Sequence, residues 1–373
     1  MDSNHTKSAT LLINSLGGGG AENVCVNVAN GLAKRGWDIT LVVMHSNDEA
    51  YTDRVSSKVN IIELGVNNSR YAFFPLKRFI QQEKPKVFLV FTYELSVILV
   101  LLRYFTRHKY KIISRNINNL SSMRFLKKQT NLWSRVVTTP LIDLFYPKSD
   151  HVINQCKAME EDILQVYPAL QGKTSVIYNP VAQHIEDYAK KNDLDNIIKQ
   201  DYFLCVGRLE KQKAFHFAIE AFAKVVNLYP YMRLKLVGQG VLNDSLKKLA
   251  MDLNVFDNID FVGFKTDVIP YYTKAKATIL TSLFEGFPNV LVESITLGTP
   301  VIAFDCPSGP REIIQNGVNG YLVKYLDVQS LSKYMIKTIK NNDFIISKVK
   351  DSLEFNKTEN IITAFAEKLN NDY

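Results

Sequence analysis

Only four cysteines occur in the 373 residues, Cys25, Cys156, Cys205 and Cys306, and no two stand close together. That scatter excludes a small disulfide-stapled domain and speaks against a zinc site. It predicts buried, reduced thiols of the cytosolic kind. Long apolar runs are missing too. The longest, residues 95–102, falls far short of the roughly 18 residues that cross a bilayer. The first ten residues lack the apolar core of a secretory leader, so no signal peptide is expected. No internal repeat or low-complexity segment appears. One long stretch lacks acid altogether: residues 95–142 hold nine Lys or Arg and no Asp or Glu.

What is present is an ordinary globular composition, 46% hydrophobic, in a chain long enough for two cores. The net charge of +8 is uneven. Residues 1–182 carry 22 Lys and Arg against 14 Asp and Glu, whereas residues 183–373 carry 23 of each. The basic stretch therefore faces something anionic: lipid headgroups, a phosphorylated acceptor or nucleic acid. Part of it, residues 121–146, has helical amphipathic spacing. Phe125, Leu126, Leu132, Trp133, Val136 and Val137 recur at three- and four-residue steps, with Arg124, Lys127, Lys128 and Arg135 mainly between them. Such a helix, bent or ended near Pro140, lies on an anionic membrane or packs its apolar face on its own domain. The pattern alone leaves both open.

Apolar runs at 10–14, 39–43, 86–91, 110–114, 152–154 and 175–178 read as buried strands, alternating with helical patterns such as 21–34. After a polar stretch the pattern restarts at 203–206, 233–237, 259–262, 277–281 and 301–304. The alternation predicts α/β architecture with two parallel sheets. Residues 1–182 form a first domain, 183–200 a linker and 201–355 a second domain, with a C-terminal helix in 356–373 packing back across the junction.

Strand ends carry the chemistry. Glu285-Gly-Phe-Pro-Asn-Val-Leu-Val-Glu293 sets two carboxylates around a short helix, 288–297, with Pro288 at its first position and Gly298 as its stop. An anion seat at the helix start, flanked by Glu285 and Glu293, suits a sugar joined to a ribose by a diphosphate. Alone, such a pair is more often two solvated side chains. Its company is what counts: Gly207-Arg208 with Lys213 before a helix, glycine turns at Gly238–Gly240 and Gly263-Phe264, and the loop 306–312. All follow predicted strands, on the sheet edge where open α/β sheets bind ligands. Arg208 can grip a phosphate two-pronged and Lys213 adds a point charge. In the first domain, Leu16-Gly-Gly-Gly-Gly20 joins a strand to a helix; it is a close-approach loop or a plain tight turn.

These motifs resemble those of the family-4 retaining glycosyltransferases with the GT-B fold. The likeness rests on residues 17–22, Gly207-Arg208 with Lys213, residues 285–293 and residues 317–323, and it spans nearly the whole chain. It implies two Rossmann-like domains facing across a cleft. It further implies transfer of a hexose or N-acetylhexosamine, with retention, from a nucleotide-sugar of the UDP type. The acceptor would be a glycan or a polyprenyl-diphosphate-linked glycan of surface polysaccharide assembly. By this resemblance Arg208 and Lys213 hold the diphosphate, Glu285 contacts the transferred sugar and Glu293 the ribose. Gly17, Gly18 and Gly19 close over the phosphates, while Gly263, Phe264, Gly286, Phe287, Pro288, Asn289 and Val290 line the donor. No cofactor and no metal are required, and no nucleic acid is a partner. The expected location is cytoplasmic, peripheral on the inner face of the plasma membrane.

Two departures stand out. Where relatives carry a histidine near the reacting sugar, this chain reads Ser114-Arg115-Asn116; either Arg115 serves as the donor there or the role is absent. The glycine usual after the phosphate lysine is Ala214, a change that a helix start tolerates. A sugar-nucleotide epimerase of the same architecture and a non-catalytic nucleotide-sugar-binding protein are the alternatives. The first lacks a convincing acid/base set, and the intact motif residues argue against the second.

Overall fold

The computed structural model describes residues 7–17, 19–45, 51–122, 124, 138–340, 344–353 and 357–370. It divides into two compact units, Met1–Pro180 with Lys357–Tyr373, and Val181–Asn356.

The first unit is a parallel sheet of β1 (Ser8–Ile13), β2 (Asp38–Val43), β3 (Val59–Glu63), β4 (Val87–Val90), β5 (Lys111–Arg115), β6 (His151–Asn154) and β7 (Thr174–Val176), in the order β3-β2-β1-β4-β5-β6-β7. Its inner strands are buried on both faces, as an all-parallel sheet requires. Alternation along β1 sorts the core: Leu11 and Ile13 join one cluster, Leu12 the other. The first cluster is covered by α1 (Gly20–Lys34) through Val24, Cys25, Val28 and Leu32. The second is covered by α2 (Phe73–Glu83) and α3 (Tyr93–Leu102). Helices α4 (Thr139–Phe145) and α5 (Lys157–Val166) complete the unit. The C-terminal helix, Thr358–Asn370, packs on α1. A Cβ on Gly31 would stand 2.6 Å from Ile362 Cγ1, and Phe365 is fully buried in the same cluster.

The second unit holds β8 (Tyr202–Val206), β9 (Arg233–Val237), β10 (Ile259–Gly263), β11 (Ala277–Leu280), β12 (Val301–Phe304) and β13 (Gly320–Val323), in the order β10-β9-β8-β11-β12-β13. Around it run α6 (Gln183–Lys191), α7 (Phe215–Val226), α8 (Asn243–Asp252), α9 (Ile269–Lys274), α10 (Asn289–Thr296), α11 (Pro310–Ile313), α12 (Val328–Lys340) and α13 (Ile346–Asp351). The strand order reverses between β8 and β11, so the crevice for a ligand opens at the carboxyl ends of those two strands.

Several expectations need correction. The linker placed at 183–200 is half helix: α6 buries Ile185 and Ala189, and Ala189 O accepts from Lys350 Nζ at 2.7 Å within the second unit. The chain passes from one unit to the other at Pro180–Val181 instead. Pro140 stands in the first turn of α4, and the residues before Thr138 that the expected bend would involve lie outside the described residues. Of the amphipathic helix expected over 121–146, residues 123 and 125–137 lie outside the described residues. Strands β3 and β13 carry no sequence prediction, and both are sheet edges.

Candidate functional site

In the second unit, three loops meet at the switch point through their backbones. Gly207 N–H donates to Val237 O at 2.9 Å, Gly238 N–H to Gly263 O at 2.9 Å and Leu209 N–H to Gln239 O at 2.9 Å. This close approach demands glycine. Gly238 has φ +149, and a Cβ there would lie 1.9 Å from Gly207 O.

The loop after β8 is then stitched to the loop after β11. Leu283 N–H donates to Gln212 O at 2.8 Å, and Gln212 Nε2 donates to Phe284 O at 3.0 Å. The stitching delivers Lys213 to Glu285, Nζ to Oε1 2.6 Å, and Ser282 Oγ donates to the same oxygen at 2.5 Å. Both charged side chains are largely buried, so the pair is little screened by solvent. Arg208, by contrast, is 66% exposed and pairs with Glu210 at 3.3 Å. An exposed pair of this kind is weak and leaves the guanidinium available to an anion.

Residue 214 explains the glycine usual at that place. Ala214 has φ 46 and ψ 44, the left-handed region, immediately before α7. It is therefore not an unstrained helix start, as expected above, but a side-chain-bearing residue held where glycine is easier. The strain is met by packing: Ala214 is fully buried, and Thr281 Oγ1 donates to its carbonyl at 3.1 Å.

Pro288 is the N-cap of α10, with ψ 97, rather than its first helical residue. The segment 286–288 is pressed against the loop after β12. A Cβ on Gly309 would lie 2.5 Å from Pro288 Cδ, and Glu285 N–H donates to Pro307 O at 3.1 Å. Gly286, Phe287 and Pro288 are all buried, so Phe287 serves as packing while its backbone faces the loop; Asn289 and Val290 are half-buried. Glu293, in α10, accepts from Tyr272 Oη at 3.0 Å. Gly263 has φ +78 with open space at its α-carbon, and Phe264 beside it is exposed. Cys306 is buried next to Lys213 and Glu285. Burial first, and the Glu285 carboxylate second, push its thiol well above the usual range, so it stays protonated.

In the first unit, Gly17 is exposed after β1 and Gly19 is the N-cap of α1, while Gly18 lies outside the described residues. A Cβ on Gly19 would meet Glu22 Oε2 at 2.3 Å. Arg115 is not presented to a ligand. It is 2% exposed, donates to Asn179 Oδ1, and lies over Phe365 with its Cζ 5.0 Å from the ring centroid. Burial lowers its pKa to about 9. The expected hydrogen-bond donor toward a sugar is thus a core residue in this structure. Around it the carboxyl ends of β5 and β6 hold a buried amide row that sequence reading missed. Tyr93 Oη donates to Asn116 Oδ1, Asn116 Nδ2 to Asn154 Oδ1 at 2.9 Å, and Asn179 Nδ2 to Gln155 Oε1 at 3.2 Å.

Comparison with known proteins agrees with this architecture. The family described as Glycosyltransferase Family 4 matches residues 18–183, and that described as Glycosyl transferases group 1 matches residues 187–357. The chain belongs to the glycosyltransferases of the GT-B fold.

The glycosyltransferase is 28% identical over 342 residues to the N-acetylgalactosamine-N,N'-diacetylbacillosaminyl-diphospho-undecaprenol 4-alpha-N-acetylgalactosaminyltransferase of Campylobacter jejuni, covering 89% of this chain and 90% of that one. It is 24% identical over 308 residues to the amylovoran biosynthesis glycosyltransferase AmsD of Erwinia amylovora, covering 82% of each. Among solved structures, Anabaena HepE in complex with UDP and glucose superposes with a TM-score of 0.76. It shares 20% identity, over 97% of this chain and 99% of that one, a likeness of fold.

Two further points concern the glycosyltransferase's charged groups. The expectation that the sequence offers no Asp-x-Asp metal motif needs correction, because Asp193-Leu194-Asp195 has that spacing. It forms an exposed turn: Asp193 accepts from Asp195 N–H at 3.1 Å and from Asn196 Nδ2 at 2.7 Å. Among the described residues no group of three His, Cys, Asp or Glu is arranged to hold a metal, and no helix is long and apolar enough to cross a membrane. Arg124, one of the four cations of the expected basic helix, is paired with Asp143.

Proposed function

We propose that the chain moves a hexose or N-acetylhexosamine from a UDP-sugar, with retention at the anomeric carbon, to a lipid-linked or glycan acceptor of surface polysaccharide biosynthesis. The observation that carries this reading is the Lys213–Glu285 pair, 2.6 Å apart at the switch point of the second sheet, with exposed Arg208 on the same loop as Lys213. Transfer builds negative charge on the departing diphosphate. Lys213, fixed at a largely buried site, and Arg208, free to close on an anion, stabilise that charge without a metal. Glu285 is suited to the transferred sugar's hydroxyls, and Glu293, held by Tyr272, to the ribose. Phe264 and the open turn at Gly263 offer a face and backbone groups to the base. The activity that names the Campylobacter relative, on a diphospho-undecaprenol substrate, supports the lipid-linked acceptor. An enzyme acting on such acceptors works at an anionic membrane surface, on the cytoplasmic side where nucleotide-sugars are made.

The test is a screen of UDP-, GDP- and ADP-sugars for hydrolysis and for thermal stabilisation, followed by proton NMR of the product's anomeric signal. UDP-sugar preference, an α-configured product and turnover unchanged by EDTA are expected. Stabilisation by GDP- or ADP-sugars alone, or an inverted product, overturns the reading.

A further inference from the structure

The amino-terminal edge of the second sheet holds a buried polar network. Lys199 stands just before β8, Thr299 just before β12, and Tyr272 and Thr273 lie in α9, which leads into β11. Lys199 Nζ donates to Thr273 O at 2.8 Å and to Thr299 Oγ1 at 2.5 Å. Thr299 Oγ1 donates in turn to Tyr272 O at 2.7 Å. Burial lowers the Lys199 pKa to about 8, so the side chain is still an ammonium at neutral pH.

Thr299 reaches the Glu293 side of the network as well. Its N–H donates to Ser294 O at 2.9 Å, and its carbonyl accepts from Ser294 Oγ at 2.9 Å. Ser294 follows Glu293 directly on α10, and Tyr272 Oη donates to Glu293 Oε2 at 3.0 Å. Thr299 therefore ties the backbone beside Glu293 to the backbone of the residue that holds its carboxylate. Tyr272, Ser294 and Thr299 are all fully buried. Apolar groups of the same shape would fill that space at little or no cost in stability. What a satisfied polar network adds is direction: it fixes where each member sits.

We propose that Lys199 and Thr299 are positioning residues for the donor's ribose. They lock α9 against the end of α10, so that Tyr272 holds Glu293 in the orientation that accepts from the ribose hydroxyls. The inference rests on the assignment of Glu293 to the ribose in the proposed function.

The experiment is calorimetry of UDP and 2′-deoxy-UDP with the full-length protein. Thr299→Val keeps the shape and removes the hydroxyl. It should weaken UDP roughly three- to tenfold, the worth of about one hydrogen bond, and leave 2′-deoxy-UDP unchanged. Lys199→Met should do the same, and Thr299→Ser should bind both as wild type does. Adding Lys199→Met to Tyr272→Phe should weaken UDP no further, because the lysine acts through that tyrosine. The donor KM should rise in step in Thr299→Val while kcat stays near wild type. The Thr299 pair decides by itself if Lys199→Met does not fold. The proposal is overturned if Thr299→Val keeps the wild-type preference for UDP over 2′-deoxy-UDP, or weakens both nucleotides alike, as a merely structural role would. It is overturned too if the effect of Lys199→Met adds in full to that of Tyr272→Phe. Glu293→Gln separates the two readings. Preference lost there but kept in Thr299→Val defeats this inference alone, whereas preference kept in Glu293→Gln defeats the ribose assignment and this inference with it.

Discussion

Lys213 and Glu285 join the loops that leave β8 and β11, Nζ to Oε1 2.6 Å, with Ser282 Oγ on the same carboxylate oxygen. Without a donor, the cation assigned to the diphosphate is held by the carboxylate assigned to the sugar. A bound diphosphate would share the lysine and free one carboxylate oxygen to accept from a sugar hydroxyl. The pair thus keeps both groups ordered before the donor arrives.

Removing one partner from such a pair leaves a largely buried charge alone, a loss of about 3–5 kcal/mol. Lys213→Ala should therefore lower stability and, by deleting a charge-assisted contact to the leaving group, cut kcat/KM by roughly 10²–10³. In Lys213→Ala/Glu285→Gln, urea titration should recover much of the stability while activity stays lost. Recovery of neither would show that the pair's worth is not electrostatic. Glu285→Gln alone should lose far more kcat than UDP affinity, as a contact to the sugar requires.

Glu293 and Tyr272 give a prediction of the opposite kind. Tyr272 is fully buried and donates to Glu293 Oε2 at 3.0 Å. A hydrogen bond to a charged group contributes about 1.5–3 kcal/mol, so Tyr272→Phe should loosen the carboxylate and weaken UDP binding roughly tenfold or more. Glu293→Gln should do the same with kcat less affected. Calorimetry with UDP and 2′-deoxy-UDP decides: the wild type should prefer UDP, and both variants should lose that preference. Unaltered preference in Glu293→Gln would remove the ribose from its role.

The glycines separate space from dihedral strain. Gly317 has φ +77 with nothing near its α-carbon, whereas Gly238 has φ +149 with Gly207 O at 1.9 Å from a built Cβ. Gly317→Ala should cost only the left-handed term, about 1 kcal/mol. Gly238→Ala adds a backbone clash that forces the β8 and β9 loops apart, for about 2–5 kcal/mol in all, and should also abolish UDP binding. Equal melting temperatures for the two variants would contradict this reading of the loop packing.

Most of the second unit was legible because its inner strands are short apolar or alternating runs set between helical patterns. The runs at 233–237 and 301–304 match β9 and β12 residue for residue. Strands β3 and β13 were missed for a physical reason. An edge strand needs only one buried flank, and Val-Asn-Ile-Ile-Glu of β3 is exposed at three of its five positions and mixes polar with apolar. Residues 208, 213, 285 and 293 could be picked out by motif, but their pairing could not. Nothing in the sequence says that Lys213 meets Glu285, that Tyr272 holds Glu293, or that Ala214 is left-handed, because each depends on where distant loops are carried by the sheet. Arg115, offered by resemblance as one of two alternatives, was not placeable from sequence either: its i,i+2 neighbour Ile113 lies in the core cluster under α1, and Arg115 follows it inward.

His151 supplies the pH test. It sits in β6, 4% exposed, with Nε2 2.8 Å from Ser175 Oγ. Burial first, then the nearby positive charges of Lys368 and Lys111, hold its pKa down to about 4. The folded imidazole is therefore neutral at pH 5, whereas in the unfolded chain it titrates near its ordinary value of about 6.5. The sign follows from which state takes up the proton. Between those values the unfolded chain binds protons and the folded one does not, so stability falls as pH drops from about 6.5 toward 4 and is fully present above that window. The loss attributable to this group is about 2 kcal/mol at pH 5. His151→Gln keeps a hydrogen-bonding side chain beside Ser175 but cannot titrate. Urea midpoints at pH 7.5 and pH 5 should drop less in His151→Gln than in wild type, and an equal drop in both would assign the acid sensitivity to other groups.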